Sequence, residues 1–327
     1  MLDADRWTQV VERAVRAPSI HNTQPWSFRA DGDRLEVRHD PSRGLPAIDP
    51  TGRQQVLSVG VAVQFAVVAL AALGAAAEVD VLPDPADPEL VAVVRVIGRH
   101  EPTDGDRRAA AAIGQRHTDR ARFLEQPLPA GLVDQLERTL GRDGVWLKLI
   151  SRSEEETAVT TLLGEAEESE QRDPAYLAEL RAWTRTDPSA LDGVPADAVP
   201  DGEQRISNVP VRDFGTARPA PVAVPDDDDP APPVEHPSVL LLGTTADDRA
   251  AWVRAGMALG RLLLALTEAG LVASPLTQAL DQSWARARLT RRLDLVGHPQ
   301  MLLRLGAPTG AAPSTGRRPV AEVLTLA

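Results

Sequence analysis

Two stretches of this chain are apolar on nearly every helical face, and they constrain its fold more than anything else. One helix is expected from about Gly52 to Leu73, with Val56 to Leu73 apolar almost all round. A second is expected from Ala250 to Ala269 with the same character. A surface helix buries one stripe, whereas a helix apolar on all sides belongs inside a core. The chain has 327 residues, 43% of them hydrophobic, enough for one large α/β unit or two medium domains. Gln64 and Gly74 break the run from Val59 to Ala77, so it is not read as a membrane span.

The remaining elements form two similar series. A leading helix, Asp5 to Arg16, carries Trp7, Val10, Val11, Ala14 and Val15 at helical spacing. Short strands at 26–29 and 35–38 flank the turn signal Asp31-Gly32-Asp33. Asp49-Pro50-Thr51 is expected to cap the first central helix and Gly74 to close it. Strands at 78–82 and 90–97 follow. The second series has helices at 106–115, 131–140, 153–170 and 176–184, with a strand at 145–150. It then has a strand at 238–242, the second central helix, a strand within 270–276, a helix at 284–293 and a strand at 300–306. The order predicts an α+β protein of two tandem units, residues 1–105 and 106–327.

Within the second unit, Thr186 to Pro237 is rich in Pro and lacks periodicity, and it is far longer than an ordinary connection. An ordered lid is expected over about 186–237, because Arg212-Asp213-Phe214 is a compact, mixed cluster. The run Asp226 to Asp229 reads as a solvated stretch, without the spacing of a metal site.

Lys and Arg number 35 against 47 Asp and Glu, a net charge of −12. That argues against nucleic acid or an anionic membrane as the main partner. With no Cys there is no disulfide, thiolate metal site or Cys nucleophile. Met1 to Arg6 shows no charged-then-apolar leader, and a soluble cytoplasmic protein is expected.

Chemistry concentrates in two loops. Pro18 and Pro25 bar a helix from Ala17 to Trp26 and leave an irregular loop bearing Ser19, His21, Asn22, Thr23 and Gln24. Amide side chains both donate and accept, as the alternating C=O and N–H edge of a uracil-like ring requires. The same side chains could instead satisfy their own backbone. Ser19 with His21 suggests a nucleophile, but no partner carboxylate is indicated. In the second loop, Arg116, Thr118 and Arg120 alternate, so one side of an extended segment can carry all three. Arginine forks suit phosphate oxygens. A solvated basic loop is the alternative there.

The string A-P-S-x-x-N-x-Q-P-W-x-F, from Ala17 to Phe28, resembles the flavin-edge loop of the nitroreductase-like FMN oxidoreductases. The resemblance implies that Pro18, Ser19 and Asn22 face the isoalloxazine ring, with His21 and Gln24 in the same ring-edge loop. Arg116 to Phe123 resembles the family's R-x-S/T-x-R/K-x-x-F motif. That implies Arg116 and Thr118 toward the phosphate and ribityl chain, His117 as a further cofactor-binding residue of the loop, and Arg120 near the N1/C2 carbonyl. Arg317-Arg318 resembles the closing basic pair that also reaches the phosphate. Leu276-Thr277-Gln278, after Pro275, resembles the segment offering a backbone N–H to flavin N5, with Thr-Gln where others carry Glu-Gly.

Such proteins build their sites between two subunits. Here each loop occurs once, implying a nitroreductase-like fold fused as an intramolecular pseudo-dimer with one complete site, so that a monomer suffices. The long insert resembles the lid-bearing Acg-type branch. The resemblance implies FMN as cofactor and NAD(P)H as co-substrate, with a nitro compound or quinone as acceptor. The alternative it implies is a lid-covered FMN-binding or storage protein, in which Trp183, Arg212 or Phe214 fills the substrate space. No catalytic side chain and no metal are required, because the flavin carries the chemistry.

Overall fold

The computed structural model describes residues 2–141, 144–199, 207–210, 212–214, 234–310 and 315–327. Asp226 to Asp229 lie outside the described residues, as does much of the expected lid.

Helix α1 (Ala4–Ala14) precedes the hairpin β1 (Trp26–Asp31) and β2 (Arg34–His39). Helix α2 (Arg53–Ala72) leads to β3 (Ala75–Val81) and β4 (Leu90–Arg99). Helix α3 (Asp104–Gln115) carries the chain to β5 (Phe123–Leu124), α4 (Leu132–Leu140) and β6 (Val145–Ile150). Next come α5 (Ser153–Gln171), α6 (Pro174–Ala182), β7 (Thr184–Arg185) and β8 (Val194–Pro195). The chain resumes with β9 (Ser238–Thr244), α7 (Arg249–Glu268), β10 (Val272–Pro275), α8 (Gln278–Asp281) and α9 (Ser283–Arg292). It finishes with β11 (His298–Pro308), α10 (Val320–Val323) and β12 (Leu324–Leu326).

The two sheets share one plan. The first runs β1-β2-β4-β3 and the second β6-β9-β11-β10, each antiparallel throughout. In each, a long helix, α2 or α7, joins the second strand to the third. The difference lies between the first two strands. Gly32, at φ 55°, turns the first hairpin in two residues, whereas residues 151–237 separate β6 from β9. The sequence missed β12, which adds to the first sheet in parallel with β1 (Phe28 opposite Leu324). It also placed only irregular chain over 186–237, where β8 pairs in parallel with β7.

The two helices expected to be central are central, and they pack on each other. A Cβ at Gly256 would stand 2.0 Å from the Leu57 carbonyl oxygen, and one at Gly60 would stand 2.4 Å from that of Val253. The backbones touch there because neither residue has a side chain. Both helices are long and apolar enough to cross a membrane, yet most of each is buried inside this fold. Gly52, not Thr51, is the N-cap of α2, at φ 69°. Asp49 still caps from outside, its Oδ2 accepting the Gln55 amide at 2.9 Å.

Candidate functional site: a cationic cleft

Where α2 and α7 meet the end of β10, side chains withdraw from a cleft enclosing about 930 Å³, its open mouth included. Its apolar wall is Leu57 and Val61 of α2, Leu259 and Leu263 of α7, and Met301 and Leu303 of β11. The sequence marked these helices as core but gave no sign that they also wall a site. Gln54 and Ser58 interrupt the α2 side with polar groups, and Ser58 Oγ accepts the Ile20 amide at 3.1 Å.

Pro18, Ser19 and His21 line the cleft. The loop holds three non-glycine residues at positive φ, His21 (45°), Asn22 (54°) and Gln24 (51°). Such conformations cost energy and persist only where the surroundings impose them. Ser19 Oγ accepts the Gln24 amide at 2.9 Å and pins the turn. The His21 ring meets Phe214 edge-on at 5.7 Å, and its Nδ1 is buried without a partner among the described residues. Burial, then the charges of Arg212 and Arg120, hold its pKa well below the ordinary value, so the imidazole stays neutral.

Asn22 and Gln24 do not line the cleft; their amides tie down other segments. Asn22 Nδ2 donates to the carbonyls of Gly193 (3.0 Å) and Gly316 (3.2 Å). Gln24 Nε2 donates to Leu191 O at 2.8 Å, and its Oε1 accepts the Arg318 amide at 2.8 Å. The loop thus holds the described start of the insert and the C-terminal segment together.

Arg116, Thr118 and Arg120 line the cleft as their alternation predicts. Thr118 bridges to Ala273, and the Asp119 amide donates to Ala273 O at 3.2 Å, so the loop runs alongside β10. His117 turns the other way, into a small recess beside Thr267 and Leu271, and its Nε2 is buried without a partner. Arg116 and Arg317 converge on one carbonyl, that of Arg16, at 3.2 and 3.4 Å. Among the described residues none of Arg16, Arg116, Arg120 or Arg317 has a carboxylate within ion-pair distance, and the Nε atoms of Arg116 and Arg317 are buried without acceptors. Desolvation and the neighbouring Arg16 push Arg116 down to about 10. Desolvation, Arg116 and Arg16 push Arg317 down to about 9. Both remain charged at neutral pH, held together at a cost. Arg16, at the end of α1, was missed; nothing local distinguishes it from Arg13. Arg318 is placed elsewhere, its Nε 3.5 Å from Glu322.

The expected N5 segment divides. Pro275 and Thr277 line the cleft, but Leu276 is core, and its amide already donates to Leu302 O at 2.8 Å. Gln278 is fully buried, and its Nε2 donates to Glu167 at 3.2 Å.

Arg212 and Phe214 reach the cleft from the insert. Arg120 lies over the Phe214 ring, 5.2 Å from its centre. Arg212 Nη2 contacts Asp281 and donates to Thr277 Oγ1, each at 3.1 Å. Its Nη1 bonds Tyr176 and stands 3.6 Å from Glu170. Burial would lower the Arg212 pKa, but Glu170, Tyr176 and Asp281 together raise it. Trp183 does not reach the cleft. The guanidinium groups of Arg43 and Arg185 stand 5.2 and 5.4 Å from its ring centre.

No family model matches this chain. Among curated proteins it is 38% identical to "Putative NAD(P)H nitroreductase Rv3131" of Mycobacterium tuberculosis, over 98% of this chain and 92% of that one. It is 32% identical to "Putative NAD(P)H nitroreductase acg" of the same organism, over 99% of this chain and 96% of the other. One similar solved structure is the FMN-dependent nitroreductase NfnB from Mycobacterium smegmatis in complex with NADPH. That likeness has a TM-score of 0.40 and 17% identity, over 67% of this chain and 97% of that one. The full-length likeness to the curated relatives decides the class: the chain belongs to the nitroreductase family.

Proposed function

We propose that the cleft binds FMN and that the protein is an NAD(P)H-dependent oxidoreductase reducing a small acceptor, a nitro compound or a quinone. The observation that carries this is the meeting of Arg116 and Arg317 on the Arg16 carbonyl, with the Arg16 charge beside them and no carboxylate in ion-pair distance among the described residues, next to an apolar slot in an acidic chain. A phosphate dianion answers such a cluster, and the buried Nε groups of Arg116 and Arg317 lack acceptors among the described residues. Bound there, FMN supplies the two-electron chemistry between nicotinamide and acceptor.

The chain's own residues do the rest. Arg116 and Arg317 hold the phosphate, with Thr118 adding a hydroxyl. Leu57, Val61, Leu259 and Leu263 keep water from the ring face. Arg120 supplies a fixed positive charge, and Pro18 and Ser19 border the ring edge. His21 stays neutral and offers a ring nitrogen without delivering a proton. The shared strand order of the two sheets supports reading the chain as two tandem units that form an intramolecular pseudo-dimer. The second unit joins α4 to β6 through residues 141–144 only, too few for a second ring-edge loop, which supports one site per chain. A visible spectrum after addition of FMN tests the reading. Flavin absorbance that stays with the protein through gel filtration is expected. Protein that elutes colourless overturns the reading.

Arg212 and Phe214 favour a second reading, a covered FMN-binding protein with little turnover, because their network roofs the cleft. Anaerobic titration of the yellow protein with NADH and with NADPH separates the two. Bleaching by either supports the reductase. Bleaching only after Phe214→Ala supports the covered protein.

A further inference from the structure

We propose that Arg304 and Glu235 are positioning residues whose buried ion pair fixes the main chain at Arg120 and thereby aims that cation into the cleft. The inference rests on the FMN reading for its consequence, but not for its geometry. Arg304 stands in the otherwise apolar run Met301 to Leu305 of β11 and is 0% exposed; Glu235 is 2% exposed. Arg304 Nη1 meets Glu235 Oε2 at 3.0 Å. Its Nη2 donates to two carbonyls of the cofactor loop, Arg120 O at 2.6 Å and Ala121 O at 2.7 Å. The other Glu235 oxygen, Oε1, accepts the Phe123 amide at 2.7 Å. The Arg304 guanidinium lies over the Phe123 ring, 4.3 Å from its centre. One ion pair therefore holds residues 120, 121 and 123 by their backbone and one of them by its ring.

Neither partner lines the cleft, whereas Arg120 does. An apolar pair of equal volume would serve the core as well or better, because burying two charges is expensive. It could not bind three backbone groups of the loop. Glu235 also carries the end of the insert: its carbonyl accepts the Asn208 amide at 3.0 Å, and Ser207 bridges to it. The pair thus joins the described part of the insert to the cofactor loop.

Glu235→Gln keeps the shape and removes the charge. Two measurements test it, each also made on wild type, Arg120→Ala and the double variant. The first is the FMN dissociation constant with the reduction potential of the bound flavin. Glu235→Gln should weaken binding about tenfold and lower the potential, and both effects should vanish in the Arg120→Ala background. Equal effects in both backgrounds, or none in a folded variant, overturn the proposal. The second is hydrogen exchange without FMN. Amides of residues 119–124 should exchange faster in Glu235→Gln while those of β9 and β11 hold. An unchanged loop, or a uniform rise across the sheet, overturns it. If wild type takes up no FMN, the flavin reading fails and exchange alone decides the positioning. Should Glu235→Gln not fold, Arg304→Lys, which keeps the charge but loses the fork, takes its place in both measurements.

Discussion

Two sets of arginines stand within one fold and are treated in opposite ways. Arg53, Arg212 and Arg304 are 4%, 7% and 0% exposed, and each has a carboxylate: Asp281 for the first two and Glu235 for the third. Arg116 and Arg317 converge on the carbonyl of Arg16, whose own charge is a neighbour to both, with no carboxylate in ion-pair distance among the described residues. A paired buried cation is part of the architecture. A like-charged cluster left unpaired destabilises the chain until an anion arrives, so its presence is better explained by a ligand than by packing. The contrast predicts that the first set carries stability and the second carries binding.

The largest effect expected is on the paired set. Arg304→Met should cost about 3–5 kcal/mol in urea denaturation, because Glu235 is left charged and buried. A loss below about 1 kcal/mol would erase the distinction. Arg317→Met should leave the stability of the flavin-free chain within about 1 kcal/mol of wild type. It should weaken FMN binding on the order of tenfold to a hundredfold, the worth of a charged hydrogen bond. Collapse of the fold instead would move Arg317 into the structural set.

A third prediction sharpens the latch around Arg212. Burial pushes the Glu170 carboxyl up from 4.5 to about 7, against the opposing charge of Arg212. The folded chain then keeps a proton that the unfolded chain releases, so stability contributed by this group falls as pH rises from about 4.5 to about 7. Glu170→Gln should flatten that decline in denaturation measured across the window, and an unaltered slope would count against the assignment. The smallest effect belongs to inorganic phosphate. It should raise the melting temperature of the flavin-free wild type by on the order of 2 °C and leave Arg116→Met unmoved. Equal shifts in both would mean that the cluster does not select anions.

What was legible in the sequence follows the range of the signal. The helices α2 and α7 were legible because an all-round apolar pattern is local and leaves one physical outcome. Arg116, Thr118 and Arg120 were legible because alternation over five residues fixes a common side. That Asn22 and Gln24 stand outside the cleft lining was not legible, for the opposite reason. Their amides suit a ring edge, but Asn22 Nδ2 and the Gln24 amide bind Gly193, Gly316, Leu191 and Arg318, which only the folded chain brings near, and Asn22 Oδ1 alone has no partner among the described residues. Trp183 stands outside the cleft, where Arg43, remote in sequence, and Arg185, beyond the helix, cover its ring. The pairing of β12 with β1 joins residues nearly three hundred apart and leaves no periodic trace. Arg304 did carry a signal, a charge inside an apolar strand, whose partner could not be read from neighbouring residues.

The pairing of β12 with β1 fixes an order of events during synthesis. Residues 315–326 supply Arg317, close the first sheet and receive the Asn22 amide. At 5–20 residues per second, roughly 15 to 60 s pass between translation of Asn22 and of Arg317. Until residues 315–326 have been made, the arginine cluster proposed to hold an anion lacks Arg317, so capture of an anion there cannot precede their translation.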